Sequence, residues 1–172
     1  EGMLPHGRLF ARPAERGDVV VFRPEDEPNR DFIKRVIGVP GDRIRMIGGV
    51  LHLNGAPVPR EDLGEVPFEE ADGRISQVQA YRETLPNGVS YVVFDRYQSA
   101  ELDDTREFVV PENCYFMMGD NRDNSDDSRK SVGYVPFDNL IGPAQFVVVS
   151  FDHTTSMVAP WTLISDLRSE RF

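Results

Sequence analysis

Apolar positions along this chain fall in short runs with the two-residue beat of strands. "DVVVFR" (18–23), "FIKRVIGV" (32–39), "DRIRMI" (42–47) and "VLHL" (50–53) come early, each bounded by turn residues. "SYVVFDRY" (90–97), "REFVVP" (106–111), "CYFMMG" (114–119) and "AQFVVVSF" (144–151) follow. Gly48-Gly49, Asn54-Gly55 and the "PNG" of 86–88 tolerate positive φ and mark tight turns. No segment sustains a 3.6-residue apolar period with caps at both ends; the best short-helix candidate runs from Trp161 to Leu167. The pattern predicts an all-β fold of twisted antiparallel sheets with a barrel-like core. Residues 59–75 and 98–105 are acidic and read as loops. They frame a middle section, so we expect a core formed by 1–45 and 109–172, with 46–108 an inserted smaller β-subdomain.

Composition narrows the partners. The 172 residues carry a formal net charge of -10, which argues against nucleic acid, because phosphate binding needs clustered Lys and Arg. Cys114 is the single cysteine, so no disulfide forms within the chain, and its place in "CYFMM" reads as a small buried hydrophobe. No run approaches the roughly 18 apolar residues of a membrane span. His6, His52 and His153 are scattered, which gives no zinc pattern, and no cofactor is indicated. The aspartate-rich stretch after residue 119 also fails as a calcium loop: counted from Asp123, the sixth position is Ser128 and the twelfth Tyr134.

Two segments carry candidate chemistry. In "DFIKRVIGVPGD" (31–42), alternation puts Phe32, Lys34 and Val36 on one face and Ile33, Arg35 and Ile37 on the other. One cation then faces an apolar interior, unless this is an edge strand with both cations reaching water. Desolvation would lower the pKa of a lysine there and leave a neutral amine able to act as a general base. In "FMMGDNRDNSDDSR" (116–129), Arg122 and Arg129 interleave with Asp120, Asp123, Asp126 and Asp127, which suits a rigid salt-bridged loop.

Taken in order, "RGDVVVF", "FIKRVIGVPGD" and "MGDNRDNSDDSR" resemble the motifs of bacterial type I signal peptidase. The resemblance implies a membrane-associated serine endopeptidase of the Ser–Lys dyad type. Such an enzyme sits in the plasma (inner) membrane with its catalytic domain on the periplasmic side, and it removes signal peptides from exported preproteins after a small-x-small motif. On this pattern Lys34 is the general base and Ser125 the hydroxyl that orients it. Arg35, Asp120, Asp127 and Arg129 form the supporting network. Val21, Asp31, Phe32 and Ile33 occupy positions beside an added substrate strand, with Phe32 where the family commonly has Tyr. Asp126 stands where a small residue is more usual.

The family's nucleophile, in a Ser-Met-x-Pro motif, has no counterpart in residues 1–17, which contain no serine. We therefore expect a chain that begins after the membrane anchor and the serine, meets membrane lipid through that absent anchor, and is inactive as given. "TTSMVAPW" (154–161) imitates the motif at Ser156-Met157, but its proline falls one residue late, and it reads as a packing tail. The alternative is a noncatalytic relative that binds extended peptides in the same β-groove. A self-cleaving repressor fits poorly, for want of a basic stripe or helix-turn-helix.

Overall fold

The structure is a computed structural model that describes residues 13–70, 72–97 and 100–144. Twelve strands and one 3-10 turn account for its regular structure: β1 (Val19–Phe22), β2 (Phe32–Gly38), β3 (Arg43–Ile47), β4 (Val50–Leu53), β5 (Ala56–Pro57), β6 (Arg60–Glu69), β7 (Ile75–Thr84), β8 (Ser90–Asp95), β9 (Phe108–Val109), β10 (Cys114–Met118), β11 (Val135–Pro136), the turn Phe137–Asn139, and β12 (Leu140–Pro143). They form three sheets, ordered β11-β10-β2-β1-β12, β5-β4-β3-β9 and β6-β7-β8. The strand pairings within these sheets are antiparallel, as the alternating sequence predicts. Among the described residues no helix is long and apolar enough to cross a membrane.

The central pair is β2 against β10, and each strand buries both faces. Phe32 and Val36 of β2 join Tyr115 and Met117 of β10 in one core with Val20, Phe22 and Val135. Ile37, Phe116 and Met118 turn the other way, into a core completed by Ile44, Met46, Leu51, Leu53, Val58, Leu85, Tyr91, Val93, Phe108 and Val110. At about 1.5–3 kcal/mol for each fully buried large side chain, these two cores anchor β2 from both sides. Gly38 lets β3 close in, since a Cβ there would lie 2.3 Å from Ile44 Cδ1. Asp42, in the "PGD" turn that follows, accepts the Val39 N–H at 2.9 Å and pairs with Arg16 at 2.6 Å.

One reading of the sequence is corrected. Residues 59–75 are not a loop: β6 runs through most of them and pairs with β7 from Arg60↔Glu83 to Glu69↔Ile75. The acidic character that suggested a loop is that of an edge strand. Glu61, Asp62 and Glu65 are exposed, Leu63, Val66 and Phe68 are half-buried, and Pro67 is tolerated because β6 has one neighbour. The "REFVVP" strand shrinks to Phe108–Val109. Most of "AQFVVVSF", the helix candidate at 161–167 and the Ser156-Met157 segment lie outside the described residues.

Candidate active site

Lys34 sits in the third position of β2, opposite Val20 of β1. Alternation puts it in the row of Phe32 and Val36, and its Nζ lies 5.7 Å from the centroid of the Phe32 ring. It is half-buried and, among the described residues, makes no ion pair or hydrogen bond through its amine. Burial holds the amine below the usual lysine range and outweighs the pull of Asp127, Asp126 and Asp120; the charge of Arg30 pushes the same way as burial.

Arg35, the next residue, has the opposite surroundings. Its guanidinium grips Asp120 through two hydrogen bonds of 2.9 and 2.7 Å and donates to the Gly17 carbonyl at 2.8 Å. It also stacks over the Tyr91 ring at 4.4 Å. Of the two cations on β2, one is neutralised and the other is left on an apolar face.

The chain leaves β10 at Met118 and folds back on it. The Ser128 N–H donates to the Met117 carbonyl at 3.0 Å, and Ser128 Oγ accepts the Met117 N–H at 2.8 Å. Asp127, wholly buried, accepts the Gly119 N–H at 3.0 Å and holds Arg129 through Nε at 3.0 Å and Nη2 at 2.8 Å. Burial alone would raise the Asp127 carboxyl; the hydrogen bonds and charge of Arg129, with the Gly119 N–H, reverse this and hold it below the usual range. Ser125 packs on Gly119 so closely that a Cβ there would meet Ser125 Oγ at 2.1 Å and Lys34 Cδ at 3.7 Å. Ser125 and Lys34 thus flank one glycine. The Ser125 hydroxyl is buried and has no hydrogen-bond partner among the described residues, so it makes no bond to the lysine amine. Asp126 is exposed and accepts a hydrogen bond from Ser131 Oγ at 2.7 Å.

The four residues assigned beside a substrate strand do not share a face. Val21 pairs with Ile33, whose side chain is 54% exposed on the face opposite Lys34. Phe32 is buried against Phe22, with ring centroids 5.9 Å apart. Asp31 lies just before β2 in an exposed pair with Arg23. A cleft of about 300 Å³, lined by Glu25, Asp26, Val132, Tyr134 and Pro136 among others, is separate; none of the residues around Lys34 lines it.

Sequence reasoning missed Glu83. It is buried on β7 and receives two hydrogen bonds from the Arg122 guanidinium, one of 2.9 Å to Oε1 and a second to Oε2, and one of 2.9 Å from the Tyr91 hydroxyl. Burial alone would lower the Arg122 guanidinium, and the Glu83 carboxylate, together with Tyr91 and Asp120, more than reverses that. The only available signal was a carboxylate amid the alternation of "QVQAYRET", a strand not foreseen.

A family model described as signal peptidase, peptidase S26, matches residues 6–149. The chain belongs to that family. Among curated signal peptidase I proteins, that of Rickettsia felis is 43% identical over 155 residues, which cover 84% of this chain and 55% of that protein. The Rickettsia akari protein is 43% identical over 147 residues, covering 82% of this chain and 54% of its own length. The chain therefore spans about half the length of these relatives. The crystal structure of a signal peptidase I from Enterococcus faecalis V583 aligns with a TM-score of 0.46 at 26% identity, over 77% of this chain and 97% of that one.

Proposed function

We propose that this chain carries the general-base part of a Ser–Lys signal peptidase. The observation that carries the reading is Lys34: a half-buried amine without an ionic partner among the described residues, beside a buried, unbonded Ser125 hydroxyl. A neutral amine there would take the proton of a serine hydroxyl as its oxygen attacks the scissile carbonyl, then deliver it to the departing amine. A water molecule, deprotonated by the same amine, would release the acyl group. Ser125 is 6% exposed, which fits a hydroxyl that orients the amine better than one that reaches a substrate. The nucleophile is assigned to sequence outside these 172 residues, and the chain by itself is expected to leave preproteins uncut.

The supporting network is Arg35–Asp120 and Asp127–Arg129, whose pairing fixes the backbone under the lysine. The substrate is the signal peptide of an exported preprotein, laid as a strand near Val21, Asp31, Phe32 and Ile33 and cut after a small-x-small motif. The site works at the extracytoplasmic face of the plasma membrane. Residues 46–108, with the β6-β7-β8 sheet, are proposed as the inserted subdomain.

The test is cleavage of an Ala-x-Ala preprotein by the full-length gene product in lipid or detergent. Lys34→Ala should lower kcat by at least ~10²–10⁴-fold, the range for a general base. Undiminished cleavage in that variant defeats the reading. A parent protein that binds the peptide and never cuts it is the noncatalytic binder.

A further inference from the structure

We propose that Glu83 is a positioning residue for the Lys34 site, acting with Tyr91 through Arg122 and Arg35. The inference rests on the general-base reading of Lys34 and adds a part that none of the motifs contains. Glu83 belongs to β7 in the β6-β7-β8 sheet, whereas Lys34 belongs to β2 in the five-stranded sheet. Two arms nevertheless lead from its carboxylate to Gly119, the glycine flanked by Lys34 and Ser125.

The first arm passes through Arg122. Glu83 holds both terminal nitrogens of that guanidinium, and the Arg122 carbonyl accepts Arg129 Nη2 at 2.6 Å. Arg129 grips Asp127, and Asp127 accepts the Gly119 N–H. The second arm passes through Tyr91. Its hydroxyl donates to Glu83, its ring carries the Arg35 guanidinium, and Arg35 holds Asp120, the residue after Gly119. Backbone bonds lock the arms to β8: Phe94 N donates to the Asp120 carbonyl and Arg122 N to the Phe94 carbonyl, both at 2.8 Å.

The carboxylate is needed both as a charge and as the acceptor that ties Arg122 and the Tyr91 hydroxyl to β7. Arg122 is 5% exposed and Glu83 1%, so without Glu83 a buried guanidinium is left uncompensated and must pull toward water. Its carbonyl then leaves Arg129, and the loop holding Gly119 and Ser125 against Lys34 loosens. A loosened loop admits water to the lysine and raises its pKa.

The experiment compares Glu83→Gln, Tyr91→Phe and the paired Glu83→Leu/Arg122→Met variant in the full-length gene product. It reads Tm, kcat, KM and the acid limb of kcat/KM against pH. For Glu83→Gln the expected result is a kcat lowered about 100-fold at nearly constant KM, the scale of an ångström-sized misplacement. Its acid limb moves up by about one pH unit as the amine rehydrates. Tyr91→Phe shifts both in the same direction by less. The paired variant removes both buried charges and so regains Tm, but it also removes the hydrogen bonds that tie residue 122 and the Tyr91 hydroxyl to β7, so kcat and the acid limb stay displaced.

A purely structural role predicts the reverse: activity per folded molecule and the acid limb return with Tm. Parent-like kcat and limb in Glu83→Gln, or their recovery in the paired variant, overturns the proposal. If Glu83→Gln does not fold, the paired variant and Tyr91→Phe decide. Titration of the Lys34 amine in these variants reads positioning without reference to cleavage. Cleavage retained by Lys34→Ala defeats the general-base reading instead.

Discussion

Two adjacent cations on one strand meet opposite fates. Arg35 is matched by Asp120, 85 residues away in sequence, while Lys34 is left among Phe32, Val20 and Gly119. The buried Ser125 hydroxyl beside it has no hydrogen bond among the described residues. Such a group carries a desolvation cost of about 1–3 kcal/mol with nothing to offset it. Ser125→Ala should therefore leave Tm unchanged or raise it, while kcat falls about 100-fold through loss of lysine orientation. A lower Tm in thermal melts would show that Ser125 is held by bonds absent from this geometry. At this scale the sequence was half legible. Alternation sorted Lys34 and Arg35 to opposite faces, but partner choice depended on folding the 119–129 loop back onto β10. Glu83 stayed hidden because nothing local distinguishes a buried carboxylate from an exposed one in a strand.

At the scale of elements, the 119–129 loop behaves as one rigid piece, clamped at Ser128, Asp127 and Asp120. Replacing Asp127 by Asn leaves Arg129 buried beside a neutral partner and should cost about 3–5 kcal/mol at neutral pH. The folded Asp127 pKa lies below its unfolded value, so its contribution is present above the unfolded value and lost as pH falls through the folded one. Urea unfolding should show a gap between parent and Asp127→Asn that is widest at pH 7 and narrows toward pH 2. A gap that is constant with pH contradicts the ion pair.

Where this loop meets the end of β8, Asp95 behaves in the opposite way. Burial, then the charges of Asp123 and Asp103, push its carboxyl up to about 6. A raised folded pKa means stability is fully present below the ordinary carboxylate range and is lost as pH rises through about 6. Asp95→Asn should then stabilise the protein at pH 7.5 by about 1 kcal/mol after solvent screening, or roughly 2–4 °C in Tm, and change little at pH 4. Equal melts at pH 7.5 would remove Asp95 as a source of repulsion. Element boundaries were least legible where charge and turn residues masked an edge strand. β6 and β7 carry the longest strand pairing among the described residues, yet the acidic run 59–75 looked like solvent-exposed loop.

On the scale of the whole molecule, the all-β class was readable because the early apolar runs are short, rich in Val and Ile, and bounded by Pro, Gly-Gly or Asn-Gly turns. What alternation could not supply was the sharing of β2 and β10 between two cores, since that requires knowing which strands stack on either face. This sharing is why the lysine strand is well held: Val36 and Ile37 are anchored in different cores one residue apart. A half-buried amine can persist on such a strand because the backbone cannot rotate it out to water without breaking one core or the other.

At Lys34 burial, opposed by three nearby aspartates, still holds the amine below the usual lysine range. The chain contains two lysines, Lys34 and Lys130, so side-chain NMR of lysine-labelled protein gives two amine signals, assigned with Lys130→Arg. Titrating the Lys34 signal should give a pKa well below the ~10.4 of a free lysine. A value at or above that figure would mean that Lys34 is solvated or ion-paired, and the general-base account would fail with it.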